Sequence, residues 1–367
     1  MTGPIAIVAT GELFGGAERH ILGLGAFLSQ RGLDPRIVLF HDRELAHCCR
    51  EDGLPVTIIP PRSAYDLRVP RRLGQYLAQH GIRLVHVHGY KAAVNTALAP
   101  GRFGMVCTLH GQGEPNWRNP KAYIRDVVYR GGEVWSCRQR KSAVCFVTED
   151  LKQRHGHRYG SLDLFTVHNG IDPLDADDLT KEPGLAPDRL HALMVGRLSP
   201  VKGIEFTLQA MARLAPDHRW QLNLVGEGSL RTDLEAMVST LGIRDRVTFL
   251  GFRRDVYDLM AHSDLLIMSS HHEGLPYTLL EAMSLGKPTL ASDIGGLAEV
   301  LVQDETGILV PVGDVDALAA GLTRLGEDDE LRHRLGAKAA QEQRARYTLD
   351  SMGEGYLQAY RAVDGTR

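Results

Sequence analysis

The sequence predicts an α/β protein made of two successive doubly wound units. Three observations predict it. Short apolar runs alternate with amphipathic stretches almost throughout, as parallel strands with crossover helices do. The alternation breaks once, at an acidic stretch containing prolines, and then restarts. The length, 367 residues, suits two domains of ordinary size.

In the first unit Ile5–Ala9, Pro35–Phe40, Val56–Ile59, Leu84–His88, Met105–Leu109, Ala143–Val147 and Leu164–Val167 read as strands. Each is an apolar run rather than an alternation, so both faces are expected to be covered by helices. Ala17–Gln30, Leu67–His80 and Lys121–Gln139 carry the helical period between them. Asp175, Asp177, Asp178, Pro183 and Pro187 then mark the break. The expected organisation is residues 1–172, a linker over 173–189, a second unit over 190–346, and a final helical stretch over 347–367. In the second unit the strands are Leu190–Val195, Gln221–Val225, Val247–Leu250, Leu265–Ser269, Thr289–Ala291 and Gly307–Val310. Glu205–Leu214, Leu230–Leu241, Val256–Ala261, Tyr277–Ser284 and Asp316–Arg324 separate them as helices. Doubly wound sheets bind ligands at the carboxyl ends of their strands, so the expected site is a cleft between the two units.

Composition narrows the class. The apolar fraction of 43% and charged fraction of 24% are ordinary for a globular protein, and a net charge of −3 gives no electrostatic case for nucleic acid. The five cysteines, Cys48, Cys49, Cys107, Cys137 and Cys145, are scattered and form no Cys-x-x-Cys pair, so a reducing compartment is expected. The start, Met1-Thr2-Gly3-Pro4-Ile5, lacks the basic and apolar segments of a signal peptide. No apolar run is long enough to span a bilayer.

Glu273 and Glu281 are the most informative residues. They flank a Gly274-Leu275-Pro276-Tyr277 turn that opens a helix pattern, with Pro276 suited to the first turn. A helix start offers free N–H groups to an anion, and carboxylates on each side suit a ligand with both phosphates and hydroxyls. Gly196-Arg197-Leu198 through Lys202-Gly203 follows a strand, and two fixed cations there suit a diphosphate. Gly15-Gly16 follows the first strand and opens a helix; it serves either a phosphate or a tight turn with positive φ. Gly226-Glu227-Gly228 is either a nucleotide-side wall or a tight turn. His110, in Thr108-Leu109-His110-Gly111, ends a strand where an imidazole can meet a sugar hydroxyl. His86 and His88 share one strand face without a matching carboxylate set, so core or cleft-edge roles are expected rather than metal ligation. Asp175-Ala176-Asp177 resembles a metal motif but stands in the linker, and no metal is expected. Arg125, Arg130, Arg138, Arg140 and Lys141 form a basic stretch, either a solvated helix face or a membrane-surface or anionic-acceptor patch.

Taken together these motifs resemble the retaining glycosyltransferases of family 4, which have the GT-B fold. Gly15-Gly16-Ala17-Glu18, Thr108–Gly111, Asn169-Gly170-Ile171-Asp172, Gly196–Gly203, Glu273 with Glu281, and Gly295-Gly296-Leu297-Ala298-Glu299 fall in the family's order and span nearly the whole chain. The resemblance implies roles at the matching positions. Arg197 and Lys202 would hold the donor diphosphate, Glu281 the nucleotide ribose, and Glu273 the hydroxyls of the transferred sugar. Gly15 and Gly16 would approach the phosphates, Gly226 would stand beside the nucleotide, and His110 would sit by the reacting sugar. The backbone at Gly274, Leu275, Pro276 and Tyr277 would touch sugar and phosphate. No metal or other cofactor is implied. The last helix, Leu349–Val363, would cross back to the first unit.

The expected activity is a hexosyltransferase type. It moves a sugar from a nucleoside diphosphate sugar, with uridine diphosphate before GDP-mannose, to a hydroxyl of a saccharide, lipid-linked saccharide or small aglycone. The setting would be surface polysaccharide, glycolipid or glycoside synthesis, in the cytoplasm or at the inner face of the membrane. A nucleotide-sugar 2-epimerase on the same scaffold and a non-catalytic sugar-nucleotide-binding scaffold are the alternatives.

Overall fold

A computed structural model describes residues 3–12, 15–63, 66–111, 120–175, 179, 184–186 and 188–363; within 120–126 it describes the backbone and the Ile124 side chain. The chain divides into two compact units, residues 1–170 with 349–367, and residues 171–348.

The first unit holds a seven-stranded sheet. Its strands are β1 (Ile5–Ala9), β2 (Pro35–Leu39), β3 (Val56–Ile58), β4 (Leu84–His88), β5 (Gly104–Leu109), β6 (Ala143–Phe146) and β7 (Leu164–Thr166). All pair in parallel in the order β3-β2-β1-β4-β5-β6-β7. Helices α1 (Gly16–Gln30), α2 (Glu44–Glu51), α3 (Arg68–Gln79), α4 (Tyr90–Leu98), α5 (Pro120–Arg140) and α6 (Glu149–His155) make the crossovers. β1 and β6 are buried along their whole length, which explains their unbroken apolar runs, and β4 is equally buried although it carries His86 and His88. The strand order reverses direction between β1 and β4, which makes that gap the switch point of the sheet.

The second unit repeats the plan with six strands: β8 (Leu190–Val195), β9 (Trp220–Val225), β10 (Val247–Gly251), β11 (Leu265–Met268), β12 (Thr289–Ser292) and β13 (Ile308–Val310). Their order is β10-β9-β8-β11-β12-β13, again all parallel, with the switch point between β8 and β11. Helices α7 (Ile204–Arg213), α8 (Arg231–Thr240), α9 (Val256–Ala261), α10 (Tyr277–Ser284), α11 (Gly295–Ala298), α12 (Val315–Glu327) and α13 (Asp329–Arg346) cover it. The core centres on Ala192 and Met194 of β8, with Leu222, Leu224, Ile267 and Leu290 from the neighbouring strands. Trp220 is buried there, and its indole Nε1–H donates to the Leu322 carbonyl at 2.7 Å, so its single side-chain polar atom is satisfied.

α14 (Leu349–Val363) packs on α1, β5 and β6 of the first unit. It brings the buried Tyr356 and Tyr360 against β4 and β5. The chain around 171–174 is held within the second unit. Ile171 N–H donates to the Tyr347 carbonyl at 3.0 Å, and Leu174 N–H donates to Ser284 Oγ at 2.7 Å. Asp177 and Asp178 of the acidic stretch, Pro183 and Pro187, and the side chain of Arg125 lie outside the described residues. No helix among the described residues is long and apolar enough to cross a membrane.

Candidate active site

In the second unit the expected charged residues gather at the switch point. β8 runs into Gly196-Arg197-Leu198, then a single 3₁₀ turn over Pro200–Lys202, and then Gly203, whose left-handed φ of 56° redirects the chain into α7. A side chain at Gly203 is excluded twice over, by that φ and because a Cβ would stand 2.2 Å from the Ser269 carbonyl oxygen. The β8 loop is thereby pressed onto the end of β11. The result is a close triad. Lys202 Nζ donates to Glu273 Oε1 at 2.6 Å, and Ser270 Oγ donates to the same oxygen at 2.7 Å. The side chains of Lys202 and Glu273 are only 23% and 13% exposed, so the pair is screened far less than a surface ion pair. Arg197 stands exposed and has no hydrogen-bond or ion-pair partner among the described residues. It lines the same small depression as Lys202 and Ser270. A paired cation, a second cation left open, and a carboxylate with one oxygen engaged are thus held within a few residues of two strand ends.

Glu281 lies deeper. Pro276 stands one residue before α10, at the N-cap position, rather than inside the first turn as the sequence suggests. Its backbone is extended, with ψ 136°, because its own carbonyl must turn to accept the Leu279 N–H at 3.2 Å. Glu281 follows five residues on, 1% exposed, with Tyr257 OH donating to its Oε1 at 3.4 Å. Leu275 and Tyr277, on either side of Pro276, are buried as well.

Gly226 and Gly296 serve backbone packing. Gly226 has φ 131°, and a Cβ there would stand 2.0 Å from the Gly196 carbonyl oxygen. The β8 and β9 loops therefore meet backbone to backbone, with Leu198 N–H donating to the Glu227 carbonyl at 3.1 Å. Of the two roles the sequence leaves open, this tight approach accounts for the glycines without a ligand. Gly274 is crossed in the same manner by the α11 turn: a Cβ at Gly296 would stand 1.8 Å from the Gly274 carbonyl oxygen.

In the first unit the expected residues flank the β1/β4 switch point. Gly15 is not in the left-handed region; its φ is −172°, and among the described residues of this loop the positive φ is at Gly11 instead. The strain reading for Gly15-Gly16 is therefore replaced by a capping one. Gly15 is the N-cap of α1, and the Glu18 carboxylate reaches back to the Gly15 N–H, half of a capping box. Burial raises the Glu18 pKa, opposed by its bonds to the backbone N–H groups of Glu18 and Gly15. The Glu18 carboxylate thus stands at the start of α1, where the helix favours an anion.

His110 lines a cavity of about 240 Å³ together with Thr10, Glu18, His88 and Glu133. Its ring belongs to a cluster the sequence only half revealed. His88 Nδ1 and His110 Nε2 are 2.9 Å apart, and the two rings stack with centroids 5.2 Å apart. His20, from α1, meets His110 edge-on at 4.8 Å and bonds through Nδ1 to Asn169 Oδ1 at 2.9 Å. His86 is wholly structural. It bonds Tyr360 OH through Nδ1 at 2.9 Å and Thr108 Oγ1 through Nε2 at 2.7 Å, and Thr108 donates on to Tyr356 OH at 3.1 Å. Sequence spacing could pair His86 with His88, but His20, Ser270 and Tyr257 carry no comparable local signal; only Ser-x-x-Glu spacing hints at Ser270.

The cluster is neutral. Burial lowers the His20 pKa to about 4, and burial with the neighbouring imidazoles holds His86, His88 and His110 well below the ordinary value of 6.5. The unfolded chain takes up these protons near pH 6.5, whereas the folded chain resists them. Their contribution to stability is therefore complete above pH 6.5 and declines as pH falls toward 4. For His20 alone the span from 6.5 to about 4 is worth on the order of 3 kcal/mol. Urea unfolding at pH 7.5 and pH 5 should show a lower midpoint at pH 5, with a smaller difference in His20→Gln; equal midpoints in the native chain would refute a buried neutral cluster.

A family model described as Glycosyltransferase Family 4 matches residues 14–174, and one described as Glycosyl transferases group 1 matches residues 175–342. The two matches abut and together span most of the chain. The chain belongs to the family 4 glycosyltransferases. This glycosyltransferase is 28% identical over 307 residues to N-acetyl-alpha-D-glucosaminyl L-malate synthase of Bacillus anthracis, covering 81% of this chain and 79% of that one. It is 34% identical over 238 residues to alpha-D-kanosaminyltransferase of Streptomyces kanamyceticus, covering 61% of each. Its fold matches the crystal structure of Anabaena Alr3699/HepE in complex with UDP, with a TM-score of 0.83, 22% identity, and 99% and 100% of the two chains covered. At that identity the structural match establishes the GT-B fold of two parallel-sheet Rossmann-like domains.

Proposed function

We propose that this glycosyltransferase moves a hexosyl unit from a nucleoside diphosphate sugar to an acceptor hydroxyl with retention of anomeric configuration, using a uridine diphosphate sugar in preference to GDP-mannose. The observation that carries this is the Lys202–Glu273 pair at 2.6 Å beside Arg197, which has no partner among the described residues. A cation that has spent one of its three N–H donors on Glu273 keeps two for phosphate oxygens, and Arg197 adds a fork. Glu273 keeps Oε2 for sugar hydroxyls because Lys202 and Ser270 both converge on Oε1. The preference for uridine draws on the UDP in the Anabaena Alr3699/HepE complex.

In the proposed step the bond between the sugar C1 and the diphosphate oxygen breaks, and the diphosphate leaves with the electron pair. The acceptor oxygen bonds C1 from the same face, and its proton passes to the departing phosphate oxygen. Arg197 and Lys202 stabilise the charge that grows on the diphosphate, which is where fixed cations lower a barrier. Glu281 accepts hydrogen bonds from the ribose, and His110 stands by the sugar. No metal enters this scheme. Of the two relatives' names, one includes an acceptor, L-malate, and the other only the transferred sugar, kanosamine, so the acceptor is proposed only as a hydroxyl compound, saccharide, lipid-linked saccharide or aglycone. Calorimetry tests the donor side: Glu281→Ala should bind UDP at least ~10-fold more weakly, from the loss of one or two hydrogen bonds to a charged acceptor, and equal affinity would remove the ribose role.

Peripheral membrane contact is part of the same proposal. α5 exposes Ile124, Val127, Val128 and Trp135, with Ile124 and Val128 62% and 61% exposed. Apolar residues with a tryptophan on a helix that also carries arginines suit the interface of an anionic bilayer. Arg138 and Arg140 are themselves tied to backbone carbonyls of Arg158 and Ala97, which anchors the helix rather than freeing both charges. Flotation with phosphatidylglycerol vesicles should recover the protein, and Val128→Glu with Trp135→Glu should abolish recovery; equal recovery of the double variant would exclude α5.

A further inference from the structure

His88 and His110 touch, and only one arrangement of their protons suits the surroundings. His88 is 4% exposed, and its Nε2 is buried with no hydrogen-bond partner among the described residues. His110 uses Nε2 toward His88, and its Nδ1 has no partner among the described residues. The ring is half-buried and lines the cavity. If His110 donated from Nε2, the single proton of neutral His88 would sit on Nε2, leaving a buried N–H with nothing among the described residues to accept it. If His88 donates from Nδ1, its Nε2 is a bare lone pair. Orphaned buried N–H groups are the rarer and costlier of the two. A doubly protonated His88 is excluded by burial among His20, His86 and His110, all neutral imidazoles packed within 5.3 Å of it, centroid to centroid.

We infer that His88 is a positioning residue: its Nδ1–H donates to His110 Nε2, holds His110 as the Nδ1–H tautomer, and so turns the free nitrogen of His110 into a fixed hydrogen-bond donor at the cavity. The other strand histidine cannot do this. His86 has both nitrogens satisfied by Tyr360 and Thr108, which locks its own ring but leaves nothing for a neighbour. β4 thus places two histidines on one face with different tasks, His86 tying the sheet to α14 and His88 setting the proton of His110. A fixed donor at His110 recognises a lone pair, so the group it meets is a hydroxyl or ring oxygen of a sugar, not an ammonium. That last step rests on the proposed glycosyl transfer; the tautomer does not.

Two measurements on the full-length protein separate them. Histidine labelled with nitrogen-15 reports, in long-range nitrogen–proton spectra at pH 7.5, which ring nitrogen carries the proton, with assignments from single His→Asn variants. The expected spectrum has His110 and His88 both protonated at Nδ1 and bare at Nε2. His110 protonated at Nε2 would overturn the inference whatever the enzyme does. In kinetics, His88→Leu should lower kcat/KM by about 3- to 10-fold and release His110 into a mixture of tautomers, because the lost hydrogen bond is of ordinary strength. His88→Asn, whose amide N–H stands near the position of Nδ1–H, should recover most of that loss. A folded His88→Leu with unchanged His110 tautomer, or an Asn variant as impaired as Leu, would also overturn it. The expected tautomers with full activity in His110→Ala would instead remove the proposed contact of His110 with the sugar and leave the positioning role of His88 standing.

Discussion

Lys202→Ala should leave a folded protein whose turnover falls by about 10²- to 10³-fold, the loss of about 3 to 4 kcal/mol that follows removal of one preorganised donor to a developing anion. The structure shows why the cost belongs to chemistry more than to folding. Lys202 reaches across from the 3₁₀ turn to Glu273, but Ser270 Oγ donates to the same carboxylate oxygen and remains after the substitution. Glu273 therefore keeps one partner. Some stability is still lost, since removing one member of a largely buried pair leaves a less compensated charge. The double variant Lys202→Ala with Glu273→Gln separates the two effects. It should regain the melting temperature of the native chain and remain inactive. Turnover unchanged in Lys202→Ala would remove Lys202 from the diphosphate site; full recovery of turnover in the double variant would make the effect structural.

Gly296→Ala should cost as much by a different route. An added Cβ would stand 1.8 Å from the Gly274 carbonyl oxygen and 2.8 Å from that of Glu273. Both obstacles are main chain, so no side-chain rotation relieves them. Either α11 or the Glu273–Gly274 loop must move. Overpacking of this kind costs about 1 to 3 kcal/mol of stability. Displacing a positioning group by about 1 Å costs on the order of 10²-fold in rate. Since Glu273 is the residue next to the clash, kcat/KM should fall by about 10²-fold while Lys202, Ser270 and Glu281 are untouched. Native kcat/KM and melting temperature in this variant would mean that the loop has slack and that the geometry of Glu273 is not set by α11.

What the sequence made legible follows from what each feature leaves behind in it. Fully buried parallel strands write largely apolar runs, so β1, β4, β8 and β11 could be placed within a residue. α13 left almost no such trace. It buries Arg332 and Gln343 alongside Leu331, Leu335 and Ala339, so its buried face is too polar to stand out. Arg332 is tolerated there because it donates to the Leu325 carbonyl and to Asp329. The charged candidates at strand ends were equally legible, since Arg197, Lys202 and Glu273 each sit one loop after an apolar run. Their mutual arrangement was not. The sequence separates Lys202 from Glu273 by a whole run of alternating helices and strands, and only the β8/β11 adjacency in the sheet brings them to 2.6 Å.

Glycines were the least decipherable. Gly15, Gly203, Gly226 and Gly296 look alike in sequence, yet one is an extended N-cap, one a left-handed turn, and two are backbone crossings. The histidines divide in the same manner. His86 and His88 differ by two positions on one strand face, and what distinguishes them is Tyr360, 274 residues later, against His110, 22 residues later.

The central claim is transfer with retention from a nucleoside diphosphate sugar. It is tested most directly by incubating the protein with α-linked UDP-sugars and GDP-mannose, each with and without a panel of hydroxyl acceptors. Released nucleoside diphosphate is counted, and the anomeric proton coupling of the product is read by NMR. Diphosphate release is expected in step with a glycoside that keeps the α configuration, from a uridine donor first. A β-configured product, or a donor sugar epimerised with no acceptor present, would contradict it.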